Sequence, residues 1–174
     1  MKRLFNMYAC AFLLLSVAIA GARAAEPASA YSSSAPVSSQ LAATMSALAD
    51  RADAVWNRRD AAGMTALYAA DATSTIGGAI RLKGHPEILA HFRKSFAGLP
   101  EGMTHRTVVK RIEPLGDMLA VDSAVFIEMP DGAQGKRVLR EFFTFALVRP
   151  TTPGGWEFVA VRATPLGAGA RAQG

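Results

Sequence analysis

Three ionisable side chains in the second half of the chain have surroundings suited to acid–base chemistry. Glu141 sits in the run Arg-Glu-Phe-Phe-Thr-Phe, and in an extended strand it shares a face with Leu139, Phe143, Phe145 and Leu147. A carboxylate among apolar side chains is costly unless it is paired, hydrogen-bonded or protonated. Two roles follow: a general acid/base or anchor for a ligand's polar group, or half of an ion pair with Arg162 or Arg106. His105 opens an earlier extended run, with Thr107 and Val109 on its face. A histidine near a pocket mouth can give or take a proton at neutral pH; the alternative is a half-exposed strand histidine. Asp122 lies in mid-strand beside Phe126 and Glu128, as a pocket acid or as a residue facing a partner. Glu128, near the strand end, is expected to be exposed. The three histidines, His85, His91 and His105, lack close metal-ligand spacing and no cluster of acids joins them, so neither a metal nor a cofactor is expected.

The elements that would carry these groups are readable from periodicity. Leu41, Met45, Leu48, Ala52, Val55 and Trp56 recur at spacings of three and four and predict a first helix, capped by Ser38 or Ser39. Asp60 reads as the N-cap of a second helix whose inner face is Met64, Leu67 and Tyr68, not as a catalytic acid. Thr73–Ile76 and Ala79–Leu82 flank Gly77-Gly78, which supplies the positive φ angles of a tight hairpin. Pro86, with His85 as cap, opens a third helix with Ile88, Leu89, Phe92 and Phe96 on its buried side and His91 at its edge. Four strands follow: Thr104–Glu113, Met118–Met129, Arg137–Arg149 and Trp156–Thr164. Helices first and a long antiparallel meander afterwards predict an α+β fold, three N-terminal helices against a curved, mainly antiparallel sheet.

The N-terminus carries an address. Met1-Lys2-Arg3 is basic, Ala9–Ala20 is almost continuously apolar, and Ala22-Arg23-Ala24 is a small-x-small cleavage site. This is the pattern of a secretory signal peptide over residues 1–24, and the apolar run is too short for a membrane span of roughly 20 residues. The mature protein is thus expected to be exported, periplasmic or secreted, without stable membrane insertion. The chain holds 19 basic and 14 acidic residues, net +5. Loss of Lys2, Arg3 and Arg23 leaves 16 against 14, a net +2, which gives no reason to expect nucleic acid. Loss of Cys10, the one cysteine, leaves neither disulfide nor thiol chemistry. Residues 25–39 are rich in Ala, Ser and Pro and read as a flexible tether. Residues 40–166 read as one domain and 167–174 as a tail.

The segments Val55–Gly78, "LKGHPEILAHF", "GDMLAV" and "GWEFVAVRAT" resemble the nuclear transport factor 2-like superfamily, nearest its SnoaL-like, SgcJ/EcaC-type branch. The resemblance spans roughly Leu41–Thr164. It implies a cone in which a bent sheet wraps helices around an apolar pocket, and a homodimer through the outer sheet face. Against the ketosteroid isomerases of that superfamily, Ala52 stands at the tyrosine position and Ile76 at the base position; only Glu141 matches, at the second acid. The expected pocket lining is Trp56, Tyr68, Phe92, Phe96, Phe143, Phe145 and Val161. The expected function is binding of a small hydrophobic molecule with weak or no catalysis. The alternative is an acid/base enzyme of isomerase, cyclase or dehydratase type on a hydrophobic carbonyl or polyketide-like compound, using Glu141 with His105 or Asp122. A third reading is a protein-interaction module using the outer sheet face.

Overall fold

The computed structural model describes residues 37–152 and 154–167. The signal peptide, Cys10, nearly all of the tether and the tail beyond Gly167 lie outside the described residues. Helix α1 (Ser39–Asn57) buries Met45, Leu48, Ala49, Ala52, Val55 and Trp56, the three-and-four spacing that keeps one stripe on one side. Ser38 caps it, its hydroxyl accepting from the Leu41 N–H at 3.2 Å. Arg59, at φ 60°, turns the chain out of α1, and Asp60 starts α2 (Ala61–Ala66) by accepting from the Gly63 N–H at 2.8 Å. Gly63 is required there for space. A Cβ would overlap Asp60 Oδ2 and come within 2.8 Å of Val55 Cγ1. Gly63→Ala is therefore expected to lower stability by about 1–2 kcal/mol through loss of the cap, against the gain alanine brings to an open helix. A urea midpoint raised by the substitution would contradict this.

The second helix stops earlier than its apolar spacing suggests. Leu67 and Tyr68 are buried, but β1 (Tyr68–Ile76) already begins at Tyr68, where it pairs in parallel with Phe158, and the Phe158 N–H donates to Leu67 O at 2.8 Å. A ladder to a strand far along the chain overrides the local helical period. β1 turns through Gly77 (φ 62°) and Gly78 (φ 75°) into β2 (Ile80–Lys83), with Ile76 paired to Ile80. Helix α3 (Gly84–Ala97) follows. His85 does not cap it: Glu87 accepts from the Lys83 N–H at 2.7 Å, while the His85 ring donates to Tyr68 O at 2.7 Å.

The remaining strands, β3 (Thr104–Leu115), β4 (Met118–Pro130), β5 (Lys136–Thr151) and β6 (Gly155–Pro165), lie close to the predicted runs. The six-stranded sheet has the order β2-β1-β6-β5-β4-β3, with one parallel pair, β1 and β6. It curves around the helices, which cover one face. Leu119, Val121, Ala146 and Val148 bury against Met45 and Leu48 of α1. Trp56, Met64, Tyr68, Ile88, Phe92 and Phe96 form a second cluster, and Phe158 and Val161 touch both.

Candidate functional site

The burial of Ala146 and Val148 identifies the covered face of β5. The register shift opposite Leu147 and Val148 is taken up by an extra residue, Val159, on β6, and β5 itself alternates without interruption from Glu141 to Val148, so even-numbered residues there face the helices and odd-numbered ones face away. Glu141, Phe143, Phe145 and Leu147 therefore stand on the outer face, the reverse of the predicted assignment. Asp122, paired across to Phe145, stands there too, with Arg111 Nε 4.0 Å from its carboxylate. Glu141 meets neither predicted arginine. Arg106 binds Glu128 at 2.9 Å, and Arg162 reaches Thr73 Oγ1 at 3.2 Å. Glu128 is buried between Arg106 and Lys136 instead of exposed. The structure thus does not bring Glu141, Asp122 and His105 together.

His105 faces the helices, and it has a partner. β3 is an edge strand, so alternate backbone groups on its open side lack a ladder. Helix α1 supplies substitutes from two positions four residues apart, Asp53 and Asn57, which share a helix side. The Asn57 amide brackets the His105 backbone, donating to its O at 3.0 Å and accepting from its N–H at 2.7 Å. Asp53 accepts from the Thr107 N–H at 2.7 Å, from the Thr107 hydroxyl at 2.7 Å and from His105 Nδ1 at 2.6 Å. The side chains of His105 and Asp53 are only 18% and 13% exposed. A carboxylate can only accept, so Nδ1 carries the proton and Nε2 of the neutral ring is left with its lone pair.

The imidazole lies against the Trp56 indole, with centroids 5.1 Å apart and planes tilted by 32°. From there the rings run on: Trp56 to Phe96 at 5.7 Å, Phe96 to Phe92 at 5.5 Å, Phe92 to Tyr68 at 6.3 Å and Tyr68 to Phe158 at 5.4 Å. Trp56, Tyr68, Phe92, Phe96 and Val161 thus belong to the interior, whereas Phe143 and Phe145 do not. At the far end of this wall burial pushes the pKa of the Tyr68 hydroxyl up to about 12, against a smaller opposing pull from the Ser74 hydroxyl. In the unfolded chain the phenol ionises near 10, so the protonated folded form is favoured fully below pH 10 and progressively less as pH rises toward 12. Unfolding free energy should fall across that window by on the order of 2 kcal/mol from this group, and Tyr68→Phe should remove that part of the slope. An unchanged slope in alkaline urea titrations would contradict the assignment.

Asp53 carried no expectation. It is the residue that the sequence reading missed, although an acid and an amide four apart beside the Trp56 stripe are a readable signal. A separate shallow depression of about 440 Å³ lies between α2 and α3, lined by Ala62, Thr65, Ala66, Pro86, Leu89 and His85, whose Nε2 is engaged by Tyr68 O.

Residues 39–162 match a family described as the SnoaL-like domain. No curated protein matches the chain. Among solved structures, it is similar to Aln2 from a Streptomyces species, at 19% identity and a TM-score of 0.65 over 75% of this chain and 94% of that one. An NTF2-like protein with a cystatin-like fold from Novosphingobium aromaticivorans shares 19% identity and a TM-score of 0.60, over 76% and 88% of the two chains. A ketosteroid isomerase-like protein from Erwinia carotovora atroseptica shares 19% identity and a TM-score of 0.54, over 72% and 95%. At these identities the likeness is one of fold.

Proposed function

The chain belongs to the SnoaL-like domain family of the nuclear transport factor 2-like superfamily, and from that premise we propose that it holds a small, largely apolar molecule on the helix-facing side of its sheet and moves a proton on it with His105. The observation that carries this reading is the Asp53–His105 contact at 2.6 Å beside Trp56. Asp53 fixes the tautomer, leaving Nε2 as the base. Nε2 takes a proton from a carbon next to a carbonyl or from a hydroxyl, and the Asp53 carboxylate stabilises the imidazolium so formed. Return of that proton to another ligand atom completes an isomerisation; its delivery to a departing hydroxyl completes loss of water. Of the three functions expected from the sequence, this reading takes the acid/base enzyme over the passive binder and the interaction module. His105 is kept, and Asp53 takes the place of Glu141 and Asp122.

Native mass spectrometry of the exported protein, followed by incubation of any co-purified molecule in heavy water, tests this. The expected result is a bound small molecule that gains deuterium with the wild-type protein and not with His105→Gln. Equal exchange with both proteins would end the reading.

The same measurement addresses the assembly. Phe143 (41% exposed) on the outer sheet face and Leu139 (37% exposed) at the bulge of the same strand are large apolar side chains left open. They support a homodimer through that face, and a strictly monomeric mass would exclude it. Export rests on the leader alone: N-terminal sequencing of protein from the periplasm or medium should begin at Ala25, and intact Met1 in the cytoplasm would contradict it.

A further inference from the structure

Arg59 presents three features that its role in the turn does not account for. Its backbone lies at φ 60°, the one non-glycine residue with positive φ among the described residues, just past the end of α1. That position favours glycine, so an arginine there carries a backbone cost that its side chain must offset. The guanidinium lies 5.4 Å from the centre of the Trp56 ring, the same indole against which His105 stacks. Nη2 donates to Pro100 O at 2.9 Å and to Met103 O at 3.2 Å, in the loop between α3 and β3. Nη1, by contrast, is sealed from solvent and donates to nothing among the described residues. Arg59 takes part in no ion pair among the described residues, so a buried part of a permanent cation is left without a counter-charge. An unpaired buried donor on a charged group is expensive, and a native structure retains one only for a reason.

We propose that Arg59 binds a carboxylate group of the molecule held beside His105, so that the site selects an anionic ligand. This rests on the reading of the helix-facing side of the sheet as a small-molecule site. Nη1 donates to the carboxylate and Nη2 keeps the loop carbonyls, while the Trp56 indole, in contact with both Arg59 and His105, sets the distance between the two ends of the ligand. The loop Gly98–Met103, held to Arg59 by two carbonyls, is the segment that must yield to admit the ligand. An arginine is suited to this because its charge persists at any physiological pH and its planar fork fixes the carboxylate's orientation.

The probes are benzoate and its neutral isostere benzamide, chosen to place a ring against Trp56 and Phe96. Titration calorimetry on the wild-type mature chain should give benzoate at least about tenfold tighter binding than benzamide, the worth of one charge-assisted hydrogen bond. Arg59→Gln should bring the two within about twofold, and Arg59→Lys should restore part of the preference. His105→Gln should leave the preference intact. Equal affinities in the wild type, or no binding of either probe at millimolar concentration, overturns the inference without any variant having to fold. A preference for benzoate that survives Arg59→Gln overturns it as well. If deuterium exchange fails while the Arg59-dependent preference persists, the proton-transfer reading falls and the anion site stands.

Discussion

Trp56→Ala is expected to lower the unfolding free energy by about 3–5 kcal/mol, enough to leave a domain of ordinary stability close to unfolding at room temperature. The indole is buried, and three different elements depend on it. It meets the edge of Phe96 from α3 at 5.7 Å, stacks on His105 from β3 at 5.1 Å and carries the Arg59 guanidinium at 5.4 Å. His105 and Arg59 are held where they are by bonds of their own, to Asp53 and Asn57 and to the Pro100 and Met103 carbonyls, so they cannot fill the space freely and most of the cavity penalty remains. Phe92→Ala, which removes the ring linking Phe96 to Tyr68, should cost a similar amount. The two differ in a second measurement: loss of Trp56 should also free the His105 ring, visible as a shift of its imidazole resonances, whereas loss of Phe92 should leave those resonances in place. A urea midpoint shift worth less than about 1 kcal/mol for Trp56→Ala, at unchanged slope, would mean that the indole is not an internal buttress.

The helical stripe that buries Trp56 was legible because spacing of three and four is a property of the local chain. The strands from Thr104 onward were legible for the same reason, through their alternation and their turns. What local spacing does not contain is which of two faces another element will cover. On β5 the odd positions Leu139, Phe143, Phe145 and Leu147 look like a core, yet α1 packs against Ala146 and Val148 on the other side. Small residues there let the helix come close, and the larger rings are left on the outer face with Glu141. The start of β1 was hidden in a similar way, because Tyr68 is recruited by Phe158, a strand partner supplied by the last part of the chain. Asp53 was hidden by distance as well as by its place in a core helix. Its partners His105 and Thr107 lie 52 and 54 positions away; the pairing of an acid and an amide four apart is local, but that an edge strand presents its free N–H to them is not.

Asp53→Asn should separate the structural from the chemical role of this contact. The amide keeps the size of the carboxylate and one acceptor oxygen, but its NH₂ cannot accept from His105 Nδ1, Thr107 N–H or the Thr107 hydroxyl as the carboxylate does. At least one of these donors loses its partner in a site that is largely closed to water, which should cost about 1–3 kcal/mol of stability. Asn57 still holds the His105 backbone at 2.7 and 3.0 Å, so β3 stays on α1 and the fold should survive. The imidazole, however, is released to the other tautomer, with the proton on Nε2 and no lone pair directed at the ligand. Proton exchange into the bound molecule should then fall by about 10²–10⁴-fold, the range lost when a general base is disabled. His105→Gln should fall equally far. The double variant should fall no further than either single one, because both act through the same nitrogen. Additive losses in that cycle would mean that Asp53 and His105 act separately. A variant that loses stability but keeps full exchange would reduce the pair to a clasp between α1 and the edge of the sheet.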